Sequence, residues 1–98
     1  MKTVVTSSTF DQWLNGLKDR TARARILARI DRIEDGNFGD TKPVGQGVSE
    51  MRIHHGPGYR IYLAQRGPEW VILLAGGDKS TQHADIKAAL KLARELEI

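Results

Sequence analysis

The chain has 98 residues, no cysteine, 15 lysines and arginines against 12 aspartates and glutamates, and a formal charge of +3 at neutral pH. That length holds one domain with a modest core and excludes two. Without cysteine there is no disulfide framework, thiolate zinc site or cysteine nucleophile, so packing alone must stabilise the fold. The opening "MKTVVTSSTF" lacks the apolar stretch of a secretory signal. No apolar run approaches the roughly 20 residues of a bilayer crossing, so a cytoplasmic protein with no membrane partner is expected.

"KTVVT" at residues 2–6 is short and β-branched and predicts a strand at or near a sheet edge. The period then changes. Ser7, Ser8 and Thr9 offer N-cap oxygens, and Phe10, Trp13, Leu14 and Leu17 recur at helical spacing, which predicts a first helix over residues 8–18. A second starts near Thr21, carries Ile26, Ile30 and Ile33 on one stripe, and stops at Asp35-Gly36. Arg25, Arg29 and Arg32 fall within an arc of about 60° beside that stripe. This basic face is either solvated or a docking surface for phosphates or an acidic protein segment.

"GNFGDTKPVGQGVSE" reads as a loop from its glycines and proline. Three strands follow, at about 48–55, 59–66 and 69–75. In the last, "EWVILLA" is apolar without alternation, as a strand covered on both faces should be. A final helix begins near Ser80 or Thr81, with Ile86, Ala89, Leu90 and Ala93 on one side. The expected fold is therefore a single α+β domain over residues 1–98, of order β-α-α-β-β-β-α. Two N-terminal helices pack on a mostly antiparallel four-stranded sheet, with a C-terminal helix in addition.

The stretch "MRIHHGPGYRIYL", residues 51–63, carries two arginines and two histidines around a Gly-Pro-Gly turn. A two-residue loop would place Met51 and Ile53 on the face of Arg60 and Tyr62, mixing core with charge. A three-residue loop, or another of odd length, separates them, because a slip of one residue exchanges the faces of a whole strand. In the three-residue register Ile53 meets Ile61, Met51 meets Leu63, Arg52 meets Tyr62 and His54 meets Arg60. Glu50, Arg52, His54, Arg60 and Tyr62 then share one polar face, and His55 is left on the other.

That face suits a phosphodiester. Arginine forks bind two phosphate oxygens and stabilise charge that develops in a phosphorane, while a histidine moves protons near neutral pH. With RNA the substrate's own 2′-hydroxyl can attack, so neither a protein nucleophile nor a metal or cofactor is required. Each residue also has a plainer reading. Arg52 and Arg60 can be solvated sheet residues, and Tyr62 either stacks on an unpaired base or covers the sheet. Lys79 and Gln82 either face a ligand or open the last helix. His54, set across from Arg60 in this register, is the candidate general base.

"FDQWLNGLKDRTARARILARIDRIEDGNFGDTKPVGQGVSEMRIHHGPGYRIYLAQRG", followed by "ILLAGGDKSTQHADIKAALKLARE", resembles the RelE/ParE toxin superfamily. More narrowly it resembles the HigB-like branch of phage-derived addiction-module killer proteins. The resemblance implies two helices on an antiparallel sheet whose open face is the working surface. It implies a type II toxin–antitoxin pair, in which a small DNA-binding antitoxin is encoded nearby and operator DNA is met only through it, and an acidic or amphipathic antitoxin segment is then expected to cover the basic sheet face or the helix face of Arg25, Arg29 and Arg32. It further implies ribosome-dependent cleavage of mRNA. Arg60, after "GPGY", matches the superfamily's sheet arginine that contacts the scissile phosphate. Arg52 lies where relatives carry a basic residue on the preceding strand, and Lys79 lies close to basic residues that follow their last core strand. The chain lacks the paired lysines of RelE before the turn and has no tyrosine after Trp70. ParE-like relatives share the fold and inhibit DNA gyrase without cutting RNA, which is the alternative function.

Overall fold

The structure is a computed structural model that describes residues 1–97. Strand β1 (Thr3–Thr6) leads into helix α1 (Ser8–Gly16), and α2 (Arg20–Glu34) follows it. Each of these two helices begins at a side-chain cap. The Ser7 hydroxyl accepts from the Phe10 amide and the Asp19 carboxylate from the Ala22 amide, satisfying donors that a helix start leaves free. Then come β2 (Thr41–Gly45), β3 (Val48–Ile53), β4 (Tyr59–Arg66) and β5 (Trp70–Gly77). A short 3₁₀ turn (Lys79–Thr81) leads into α3 (Gln82–Glu95).

The α+β class and the C-terminal helix are as expected, but the sheet has five strands, in the order β1-β5-β4-β3-β2. The additional strand is β2, within the segment expected to be a loop. It pairs antiparallel with β3 at the sheet edge, with an irregularity between Pro43 and Gly45. Only an edge strand tolerates a proline, because its missing N–H can face away from the ladder. β1 forms the opposite edge, parallel to β5, with Thr3 beside Trp70 and Thr6 beside Leu73.

Alternation along the strands divides the interior in two. Met51, Ile53, Tyr59, Ile61, Leu63, Val71 and Leu73 face α1 and α2 and pack with Phe10, Ala22, Ile26 and Ile33. The other face is not open. Val48, Tyr62, Ala64, Leu74 and Ala75 pack there against Ala89 and Ala93 of α3. The expectation of an exposed working face is corrected accordingly: a sheet face carrying this much apolar surface needs a cover, and the small alanines of α3 let the helix sit close. No helix of the described residues is long and apolar enough to cross a membrane.

Both helical layers approach β5 where it has no side chains. A Cβ at Gly76 would overlap the Trp13 ring of α1, and one at Gly77 would overlap the Asp85 carboxylate of α3. We expect Gly76→Ala to destabilise the protein by about 1–3 kcal/mol through overpacking. Gly16, at the end of α1, has nothing within 4 Å of an added Cβ. Gly16→Ala should be neutral or stabilise by up to about 1 kcal/mol. Urea unfolding midpoints of the two variants check the contrast.

Candidate functional site

The β3–β4 register sets the geometry of the site. Met51 lies opposite Ile61, Arg52 opposite Arg60, Ile53 opposite Tyr59 and Glu50 opposite Tyr62. The connection is the five-residue segment 54–58. It is odd in length, so the assignment of residues to faces stands, but every cross-strand pair is displaced by two positions from the three-residue register. His54 therefore lies beyond the strand and not across from Arg60; Arg52 holds that place. β4 continues the row, because Arg60 lies beside Gly77 of β5. A Cβ on Gly58 would stand 3.5 Å from Arg60 Nη1 and 3.7 Å from Lys79 Cβ. Arg52, Arg60 and Lys79 thus gather at one end of the sheet, at the hairpin turn and the entry to α3.

Behind this row lies a buried polar cluster. Glu50 is fully buried in the middle of β3. Its Oε2 accepts from the Tyr62 hydroxyl at 3.1 Å and from Gln82 Nε2 at 2.8 Å, and lies 3.6 Å from Arg60 Nε. Arg60 is itself mostly buried, and its Nη1 donates to the Gly58 carbonyl at 3.0 Å. Among the described residues, Glu50 Oε1 and Arg60 Nε have no hydrogen-bond partner. Burial first, and then the Glu50 carboxyl, push the Tyr62 hydroxyl well above its ordinary pKa. This corrects two expectations. Tyr62 is wholly buried beneath α3 and cannot stack on a base, and the Gln82 amide is committed to Glu50 rather than free for RNA.

A second cluster joins the hairpin end to the segments flanking α2. Asp40 accepts from Arg52 Nη2 at 3.0 Å through one oxygen and lies 2.6 Å from His54 Nε2 through the other. These contacts hold the Asp40 carboxyl below its ordinary pKa, with His54 the larger influence and Arg52 next. His55 turns the other way. It stacks on Tyr59 and lies 3.4 Å from Asp19, the cap of α2, which is lowered mainly by the Ala22 amide. Sequence alone does not point to Asp40, because it reaches Arg52 only through β2, whose Thr41 pairs with Met51.

On the α2 side, Arg25, Ala28, Arg29, Arg32, Ile53 and His54 line an open groove of about 310 Å³. The three arginines expected on one helix face are therefore together, and His54 is with them rather than with Arg60. Arg29 is fixed, donating to the carbonyls of Arg52 at 2.8 Å and Phe38 at 3.0 Å. Among the described residues no group of three or more His, Asp or Glu side chains could hold a metal ion.

Most of the chain is similar to known proteins. The family model described as "Phage derived protein Gp49-like (DUF891)" matches residues 12–96. A protein of Haemophilus influenzae described as uncharacterized is 55% identical over 93 residues, which span 95% of this chain and 94% of the relative.

Two predictions follow from the clusters. Glu50→Ala should cost about 3–5 kcal/mol, because it leaves the Arg60 guanidinium buried without its counter-charge. Tyr62→Phe, which removes one of two donors to the Glu50 carboxyl, should cost about 1–3 kcal/mol. Urea unfolding orders the two. Asp19 and Asp40 titrate lower in the folded chain than in the unfolded one. Their contribution is therefore complete above the unfolded carboxylate pKa of about 4 and is lost as pH falls through the lowered folded values. Unfolding at a series of pH values below about 4 should show a shallower acid loss for Asp40→Asn than for the native chain.

Proposed function

The chain belongs to the Gp49-like phage-derived protein family, a family of RelE-like toxins of toxin–antitoxin systems, and on that premise we propose that it is a ribosome-dependent mRNA endoribonuclease held in check by a cognate antitoxin. The observation that carries this reading is the cationic row at the hairpin end, where Arg52 and Arg60 face each other across β3 and β4 with Lys79 close by.

The row suits phosphodiester cleavage by an internal nucleophile. The 2′-hydroxyl of the nucleotide before the scissile bond attacks the adjacent phosphorus and gives up its proton. The bond from phosphorus to the 5′-oxygen breaks, leaving a 2′,3′-cyclic phosphate and a 5′-hydroxyl that takes up a proton. Negative charge grows on the non-bridging oxygens during the step, and fixed guanidinium groups stabilise it. Arg60 is held for this task by Glu50 and the Gly58 carbonyl, so little side-chain freedom is lost when substrate arrives. Lys79, exposed at the entry to α3, adds a mobile positive charge for the RNA backbone.

His54 serves in this scheme as the base. Asp40 orients its ring through Nε2 and ties it to Arg52, an arrangement of base and orienting carboxylate. Tyr62 and Gln82 act from behind, through Glu50, and do not touch RNA.

Controlled expression with and without the neighbouring reading frame tests the class: arrest of growth that the neighbour relieves is expected. In a translating extract, primer extension should map cuts in mRNA, and Arg60→Ala should slow cleavage about 10²–10³-fold, the cost of removing one donor to a developing oxyanion. Intact mRNA together with loss of DNA supercoiling by gyrase would replace this reading with that of a gyrase inhibitor.

A further inference from the structure

We propose that the groove between α2 and the end of β3 receives an acidic, amphipathic segment of a partner protein, with carboxylates paired to Arg25, Arg29 and Arg32 and an apolar side chain seated against Ala28 and Ile53. That the partner is the antitoxin rests on the toxin reading above; the groove and its chemistry do not.

Among the described residues the charge of the three groove arginines is only partly offset, by Asp40 acting on Arg29 from beyond ion-pair distance. Among the described residues, the carboxylates within ion-pair distance of an arginine or histidine serve Arg52, His54, His55 and Arg60, and none serves Arg25, Arg29 or Arg32. Arg29 lies about one helical turn from Arg25 and from Arg32 on α2, so the neighbouring charges repel one another. Burial lowers the Arg29 pKa and the Arg32 charge lowers it further, with the Asp40 charge opposing them only in part. An arginine in that setting gains most from an anion brought in from outside.

The groove is also shaped in advance. The Arg29 guanidinium is pinned by two carbonyls, and it can lie there because residue 39 is glycine: a Cβ at that position would stand 2.7 Å from Arg29 Nη2. Arg25 and Arg32, both exposed, flank it on the rim. Carboxylates spaced one helical turn apart on a partner would meet this ladder of guanidinium groups in register.

The floor distinguishes protein from nucleic acid. Ala28 and Ile53 supply it, and no Phe, Tyr or Trp lines the groove on which an unpaired base could stack. A nucleic acid would find phosphate contacts alone, whereas an amphipathic segment uses the apolar floor as well as the charge. The occupant would also reach His54 at the groove's rim and compete with Asp40 for its imidazole. Through Asp40 the occupant is coupled to Arg52, one of the cationic residues at the hairpin end.

A synthetic helical peptide with glutamates one turn apart and leucines on the adjoining face is the probe, compared by fluorescence anisotropy with an oligouridylate of equal length. The native chain should bind the peptide more tightly than the RNA, and salt should weaken the complex. Arg25→Glu with Arg32→Glu should weaken it about tenfold or more, and replacing the peptide's leucines by serine should weaken it as well. Arg25→Gln with Arg32→Gln, which introduces no repulsion, should give an intermediate loss. Equal or tighter binding of the RNA, lost in the same variants, would make the groove a phosphate track and overturn the proposal, as would no binding of either probe. Absence of growth arrest, with the peptide still bound, would remove the toxin reading and leave the groove as assigned.

Discussion

A carboxyl group placed in the middle of a sheet and cut off from water must find its partners among its neighbours, and Glu50 draws three of them together. Tyr62 reaches it from the next strand, Gln82 from the start of α3 and Arg60 from the start of β4. The hydrogen bond from Gln82 fixes where α3 begins, and α3 in turn covers the second apolar layer. The proximity to Arg60 fixes where a guanidinium stands at the hairpin end. Sheet cover, helix position and candidate chemistry therefore share one buried acceptor. The cluster is not fully satisfied, since Glu50 Oε1 and Arg60 Nε lack partners, and such groups are costly to bury. A purely structural core would be better served by apolar residues of the same volume.

The sheet works differently on its two sides. Toward α1 and α2 it is a continuous apolar layer from Val71 to Ile53. Toward α3 the layer is apolar near Val48, Ala64 and Leu74 and becomes polar toward Glu50, Arg60 and the turn. Cationic residues collect where the cover ends. From there two surfaces lead away: the row of Arg52, Arg60 and Lys79, and the groove of Arg25, Arg29 and Arg32. Asp40 lies between them, touching Arg52 and His54 together.

Much of this was legible in the sequence because it follows from period and parity. The helices were marked by apolar spacing and by Ser7 at the first cap. The division of Met51, Ile53, Ile61 and Leu63 from Arg52, Arg60 and Tyr62 followed from the requirement that the loop be odd. What parity cannot supply is the amount of displacement, since loops of three and five residues give the same faces; that is why His54 was set opposite Arg60. Strand β2 was hidden by Pro43 and its flanking glycines, which read as loop unless the strand is known to lie at an edge. With β2 went Asp40, whose contacts depend on that pairing. Tyr62 and Gln82 were read as surface residues because nothing local states that α3 folds over them. That packing depends on Ala89 and Ala93, whose small size is visible in the sequence but whose target is not.

The parallel pairing of β1 with β5 carries a consequence for how the chain comes into being. Thr3 and Trp70 are 67 residues apart, as are Ser7 and Leu74, whose hydroxyl and carbonyl are joined at 2.7 Å. At roughly 5–20 residues per second, a nascent chain would hold β1 without its partner for about 3–13 seconds. Until β5 arrives, β1 has no strand to pair with, the layer beneath α1 and α2 lacks Val71 and Leu73, and the row at the hairpin end has no α3 behind it. β1 is thus made before every other strand described and fastened only by the last of them, so the sheet is completed late in synthesis.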